Sequence, residues 1–299
     1  MNDFSFDKTS RWPNPVDIED VVRSFAGKQL HLIEMKAIGS RSLILKFRDL
    51  SKSIDFVAYT QRSNDKRQNL SLNEEAELLR YVAKHLPNQS INLLYSAEPD
   101  NVKVPFLVVE KKDGVVLRDY YYENNSVDSF YNTLKDELKK IHYIGLNHTP
   151  PDISRTISLH RLLSRAQRWD SSKSGIKERT WLDCLEQTVS VINVNNMETT
   201  LLHGDPHAYN LLYSNDSFTW LDFEYSSIGP PQIDLARMLL LLNLQIGDAF
   251  FSEGQISKIQ LVCNIFIFEE FLNNPPALTS NDNLKKVRQL LILSINLLK

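Results

Sequence analysis

The sequence predicts an α+β protein of two lobes, a small β-rich N-terminal lobe followed by a larger helical C-terminal lobe. Three observations carry that prediction. At 299 residues, the chain is longer than one small core usually needs. Up to about Gly114, short apolar runs rich in branched and aromatic residues recur at strand length. Beyond Gly114, apolar residues recur at the three- and four-residue spacing of helices. The boundary falls at residues 112/113, giving lobes 1–112 and 113–299.

Within the first lobe, Ser42–Phe47, Asp55–Thr60, Ile91–Ala97 and Pro105–Lys111 read as strands. One helix interrupts them. Ser71 and Glu74 form an S-x-x-E capping box, Leu72, Ala76, Leu79, Ala83 and Leu86 follow at helical spacing, and Pro87 stops the run. In the second lobe, Phe130, Leu134, Leu138 and Ile141 line one helix, and Leu159–Trp169, Thr180–Val194, Ile233–Leu244 and Ile256–Leu272 mark others. Between these helices, Thr199–Tyr225 has strand character around Leu201–Leu202, Leu211–Tyr213 and Phe218–Leu221, with loops that hold most of the notable polar residues.

Composition excludes several function classes. With 42% hydrophobic and 24% charged residues, the chain is neither disordered nor of low complexity. A formal net charge of −3 offers no electrostatic reason to bind a nucleic-acid backbone or an anionic membrane, so the expected partner is a small molecule. Cys184 and Cys263 are too few and too distant for a disulfide framework or a zinc site. The N-terminus lacks the plan of a signal peptide and no apolar run reaches the roughly 18 residues of a membrane span, so the expected address is cytoplasmic. Nothing in the residues speaks to oligomeric state.

The chemistry concentrates in His203-Gly204-Asp205-Pro206-His207-Ala208-Tyr209-Asn210, which satisfies H-x-D-x-x-x-x-N, and Asp222-Phe223-Glu224 begins twelve residues beyond Asn210. This is the plan of a kinase-type catalytic loop and metal loop. The spacing lets Asp205 reach an acceptor hydroxyl, turns Asn210 toward a metal across a tight turn, and puts Asp222 on the next loop to clamp Mg²⁺ against nucleotide phosphates.

These motifs resemble the aminoglycoside phosphotransferase and choline kinase superfamily, kinase-like enzymes that act on small molecules. Ile233-Asp234-Leu235-Ala236 is similar to its D-L-A signature, and Leu138-Lys139-Lys140-Ile141-His142 to its L-x-x-L-H helix. The resemblance spans residues 35 to 245 and implies a bilobal protein-kinase-like fold using ATP and Mg²⁺ as cofactors, with a nucleotide-binding lobe over 1–112 and the catalytic loop, metal loop and acceptor site within 113–299. It further implies Asp205 as catalytic base, Asn210 and Asp222 as metal ligands, and His203 and Asp234 as braces. Phe106–Glu110, with Lys112 and Gly114 beyond it, is similar to the strand and hinge that hold adenine, and Ser40 and Ser42 stand where the nucleotide loop is expected. Glu75 matches the helix glutamate that pairs with a phosphate-anchoring cation, which is Arg62 by spacing or Lys46 on the preceding strand. Two positions depart from the pattern: Tyr209 replaces a glycine before the motif asparagine, and the nucleotide loop has a single glycine.

Other readings compete with this one. His203, Asp205 and His207 spell H-x-D-x-H, which can ligate a hydrolytic metal. Sparse glycines and Tyr209 suit a pseudokinase that binds nucleotide or a partner without turnover, whereas intact Asp205, Asn210 and Asp222 favour an enzyme. Protein substrates are disfavoured because D-F-E replaces D-F-G and no A-P-E follows. For the acceptor, Glu224, Tyr209 and Glu270 are candidates. Glu224, Glu269 and Glu270 lie near Tyr225, Phe266, Phe268 and Phe271, and carboxylates beside aromatic rings suit an amine-bearing alcohol, against the simpler reading that phenylalanines at helical spacing are core.

Overall fold

The computed structural model describes residues 30–38, 42–49, 54–61, 70–97, 106–124, 127–168, 180–191, 198–246, 256–275 and 279–298. It divides into two units, one comprising Met1–Gly114 with Ser214–Glu224, the other Val115–Tyr213 with Tyr225–Lys299.

The first unit is built on a sheet of strands β1 (Leu30–Ile38), β2 (Ser42–Asp49), β3 (Ile54–Gln61), β4 (Leu93–Ala97) and β5 (Phe106–Glu110), in the order β1-β2-β3-β5-β4. Every pairing is antiparallel. Of the expected strands, β2 runs two residues further than read, β3 one residue further at each end, β4 begins two residues later, and β5 is shorter by one residue at each end. β1 has no counterpart in the sequence reading, and its pairing explains why. Apolar residues alternate at Leu30 and Leu32, then change phase to Ile33, Met35 and Ala37, and the register with β2 shifts between Leu32 and Glu34. A bulge inserts one residue and breaks the period-two signal.

Helix α1 (Leu72–His85) starts where its box predicts: the Glu74 amide donates to Ser71 Oγ at 3.2 Å and the Ser71 amide to Glu74 Oε2 at 2.8 Å. Leu72, Ala76, Leu78, Leu79 and Val82 bury one face. The Leu86 amide closes the last turn on the Val82 carbonyl before Pro87.

In the second unit, β6 (Val115–Val116) pairs with β8 (Leu211–Ser214), and β7 (Thr200–Leu202) pairs antiparallel with β10 (Ser227–Gly229). Around these run α2 (Leu117–Asn124), α3 (Val127–Asn147), α4 (Leu159–Ala166), α5 (Thr180–Val191), α6 (Pro231–Ile246), α7 (Lys258–Asn273) and α8 (Asn281–Leu298). Leu162, Leu185, Ile233, Phe266, Phe268 and Leu291 belong to one buried cluster that unites α4 to α8. Each such side chain contributes roughly 1.5–3 kcal/mol relative to exposure. Gly145 lets α3 approach β7 closely, since a Cβ there would stand 2.4 Å from the Leu201 amide nitrogen. Among the described residues no helix is long and apolar enough to cross a membrane.

Candidate active site

The H-x-D-x-x-x-x-N motif begins at the end of β7, turns at Gly204 and closes in a short 3₁₀ turn over Ala208–Asn210. Gly204 has φ +86°, and a Cβ there would lie 2.0 Å from the Tyr225 carbonyl oxygen, so only glycine fits. The loop is hung from one carboxylate. Asp234, fully buried in the first turn of α6, accepts from the His203 amide at 2.7 Å through Oδ2 and from the Gly204 amide at 3.0 Å through Oδ1. Arg237, one turn along, donates to the Gly204 carbonyl at 3.0 Å. Ser226 Oγ donates to the His203 carbonyl at 3.1 Å.

His203 is itself fully buried, and its Nδ1 accepts from the Asp205 amide at 3.3 Å. The side chain of Asp205 is 27% exposed. Its Oδ2 accepts from Asn210 Nδ2 at 3.1 Å and lies 3.2 Å from His207 Nε2. Asn210 Nδ2 also donates to the Asp205 carbonyl at 3.0 Å. Burial works against the Asp205 charge, but the hydrogen bond and attraction of His207, with His203 and Arg237, outweigh it and hold the carboxyl below its ordinary range. Asp234 is depressed in the same way: burial opposes ionisation, and His142, Arg237 and His203 overcome it.

With its Nδ2 committed to Asp205, Asn210 keeps its amide oxygen unoccupied among the described residues, a hard donor of the kind Mg²⁺ takes. Asp222 is described within the first unit. It is exposed, has φ +58°, an uncommon conformation for a residue other than glycine, and is followed by fully buried Phe223. The Glu224 carbonyl accepts from the Leu70 amide at 2.7 Å, which ties down the end of this loop. Each group by its own chemistry, an amide oxygen in one unit and a carboxylate in the other, is a hard oxygen donor of the kind a divalent cation takes. The H-x-D-x-H alternative finds no such fit, because His203 Nδ1 is turned to a backbone amide and no three His, Cys, Asp or Glu side chains gather as a metal site among the described residues.

A family model described as the phosphotransferase enzyme family matches residues 38–257. The chain belongs to that family. No curated protein matches it in sequence. Among solved structures, the amicoumacin kinase hAmiN in complex with AMP-PNP, Ca²⁺ and Ami is similar at TM-score 0.57 and 13% identity, covering 96% of this chain and 94% of that one. A choline/ethanolamine kinase family protein from Mesorhizobium loti gives 0.57 and 13%, covering 94% and 99%. Choline kinase LicA from Streptococcus pneumoniae gives 0.57 and 11%, covering 93% and 99%. These likenesses establish an α+β, protein-kinase-like fold.

The remaining site residues read from sequence are distributed as follows. Glu75 is buried in α1 at 2% exposure, unlike solvated Glu77 two positions on. Ser40 and Arg62 lie outside the described residues, and Ser42 and Lys46 belong to β2. Glu110 ends β5, where its amide donates to the Asn92 carbonyl and its Oε2 accepts from Asn92 Nδ2 at 2.7 Å. Lys112 lies beyond it, its backbone making no hydrogen bond among the described residues. Tyr209 is exposed, with the Arg118 guanidinium 4.8 Å from its ring centroid and the His207 ring edge-on. Glu224 is half-buried. Glu270 is ion-paired with Arg165. Phe266, Phe268 and Glu269 are fully buried, so these phenylalanines are core and do not line a ligand surface.

Three groups escaped the sequence reading. His142, which the sequence placed in the L-x-x-L-H helix without assigning it a role, contributes Nε2 at 3.1 Å to Asp234 Oδ2, and its carbonyl accepts from Thr200 Oγ at 2.6 Å. Arg237 grips the loop from the same helix as Asp234. Arg155 donates to the Tyr225 carbonyl at 3.0 Å, and burial, with Arg237 and Arg165 nearby, pulls its guanidinium down to about 10 against the opposing pull of Glu270 and Tyr225. The L-x-x-L-H helix pointed to His142, but no sequence signal marked either arginine.

Proposed function

We propose that this phosphotransferase moves the terminal phosphoryl group of ATP to a hydroxyl of a small molecule, with Mg²⁺ as the assisting ion. The observation that carries the proposal is the catalytic loop, in which an ionised, partly exposed Asp205 is fixed by Asn210 on a pedestal of buried hydrogen bonds to Asp234. Asp205 orients the acceptor hydroxyl and takes its proton. Because the carboxyl is held below its ordinary range, it is a weak base toward a free alcohol, so the proton moves late, as the new O–P bond acidifies the hydroxyl. Asn210 and Asp222 are the residues that would hold the metal, whose chemistry when bound is to neutralise phosphate charge. Glu110 and Lys112, where β5 gives way to open backbone, are the proposed adenine contacts. Ser40, Ser42 and a cation paired with Glu75 are the proposed phosphate contacts. Strand β3 contains no Lys or Arg, which leaves Arg62 just past its end or Lys46 on β2 as that cation.

The acceptor we propose is an amine-bearing alcohol, received beside Asp205 by Tyr209, Glu224 and Glu270. Support comes from the metal-loop sequence Asp222-Phe223-Glu224-Tyr225-Ser226 and from the choline and ethanolamine kinases among the similar folds. Glu270 is already ion-paired with Arg165, so an incoming ammonium group would share that carboxylate with the guanidinium. We place the protein in the cytoplasm. Purified protein given ATP, Mg²⁺ and a panel of amino alcohols, aminoglycosides and sugars, with ADP release as the readout, tests the reading. Turnover of an amine-bearing alcohol supports it, turnover of neutral sugars alone overturns the acceptor class, and absence of turnover on every acceptor overturns the phosphotransfer.

A further inference from the structure

The two oxygens of Asp205 are not equivalent. Oδ2 receives Asn210 Nδ2 at 3.1 Å and faces His207 Nε2 at 3.2 Å, whereas Oδ1 takes no hydrogen bond among the described residues. The other ring nitrogen of His207 is also committed, since Nδ1 accepts from the Tyr209 amide at 3.1 Å and caps the 3₁₀ turn that carries Asn210. A backbone N–H can only donate, so Nδ1 must present its lone pair and the ring proton must sit on Nε2. That proton sits on the ring nitrogen nearest Asp205, 3.2 Å from Oδ2.

We propose that His207 is a positioning residue for Asp205: the Tyr209 amide fixes its Nε2–H tautomer, His207 and Asn210 together occupy Oδ2, and Oδ1 is left as the oxygen that receives the proton of the acceptor hydroxyl. The step is balanced. The acceptor oxygen forms its bond to the terminal phosphorus of the nucleoside triphosphate, the bond to the nucleoside diphosphate breaks, and the hydroxyl proton passes to Oδ1 before release to solvent. Two donors on one oxygen also fix the carboxylate plane, so the syn and anti lone pairs of Oδ1 keep constant directions toward the acceptor. His207 thus joins base placement to the backbone of the asparagine turn, and one ring sets the geometry of both.

This inference rests on the phosphotransfer reading and is tested so that the two can fail separately. Asparagine places an acceptor where His207 has Nδ1, and glutamine places a donor where it has Nε2. His207→Asn therefore keeps the cap and loses the contact to Asp205, while His207→Gln keeps that contact and loses the cap. With the acceptor that the wild type turns over, His207→Asn is expected to lower kcat by about 10-fold to 100-fold with the acceptor KM within about threefold. His207→Gln is expected to restore most of that loss. Equal impairment of the two variants, or an unimpaired His207→Asn, overturns the proposal. The second arm needs no turnover: long-range ¹H–¹⁵N spectra of the histidine rings, with His207→Asn identifying the resonance, are expected to show Nε2 protonated and Nδ1 bare. A protonated Nδ1 in the neutral ring overturns the proposal even if the enzyme is active. A wild type that phosphorylates nothing defeats the phosphotransfer reading, and the ring spectrum decides the His207 contact regardless.

Discussion

Asp234→Asn is the sharpest probe of how the His203–Asn210 loop is held. The side chain is fully buried and three donors converge on it: the His203 and Gly204 amides and His142 Nε2. An asparagine of the same shape has one acceptor oxygen and one NH₂ group. If the oxygen stays with Gly204, the NH₂ faces the His203 amide donor to donor, and a buried N–H loses its partner. A buried donor left unsatisfied costs about 1–3 kcal/mol, and the change at His142 adds a smaller loss, so we expect about 2–4 kcal/mol in total. At about 2–4 °C per kcal/mol for a domain of 150–250 residues, Tm should fall by about 4–16 °C. The penalty should depend on pH in a definite direction. The folded-state pKa of Asp234 lies below the ordinary aspartate value of 3.8, so the charge stabilises the fold above that value and the contribution fades as pH falls through the depressed pKa. Thermal denaturation of wild type and variant, from neutral pH down to about pH 3, should show a gap that narrows in acid. Equal melting temperatures at neutral pH would refute the argument that this carboxylate suspends the loop.

Other outcomes follow from the same geometry. Asp205→Asn should lower kcat by about 10²-fold to 10⁴-fold with nucleotide affinity retained, which steady-state kinetics alongside calorimetric ATP binding will check. Asp222→Ala should abolish the Mg²⁺ dependence of ATP binding, measured by titration with and without the metal, and unchanged dependence would reassign the metal ligand. Gly204→Ala should cost at least about 10²-fold in kcat in any folded fraction, because the Tyr225 backbone it meets cannot yield as a side chain would. Arg62→Ala and Glu75→Ala should be strongly non-additive in a double-mutant cycle on nucleotide affinity, and additive losses would move the pairing to Lys46.

What could be read from the sequence was what local chemistry writes locally. The Ser71–Glu74 box and the run to Pro87 specify α1 because each determinant lies within one turn of the backbone it acts on. The spacing from His203 to Asn210 likewise predicts a compact loop, since the loop closes on itself through Asn210 and Asp205. Features set by distant partners were not legible. Nothing near His142 announces a carboxylate 92 positions away, nor does the surrounding helix reveal that Arg237 turns back to a glycine carbonyl. Strand β1 was hidden because its bulge erases the alternation by which strands are recognised. Phe266 and Phe268 show the reverse error, in which an aromatic cluster close to acids in sequence suggested a ligand surface and folding buried it.

The path of the chain between the two units has a practical consequence for dissection and recombination. Ser214–Glu224, which includes Asp222, belongs to the unit formed by the first 114 residues, although residues of the other unit precede and follow it. A single cut after Gly114 therefore isolates neither unit, because residues 214–224, with strand β9 (Ser217–Trp220), stay on the C-terminal fragment. Chimeras that exchange N-terminal units between relatives must move residues 214–224 together with residues 1–114, and those that move only the contiguous part separate the Leu70 amide from the Glu224 carbonyl it evolved to meet.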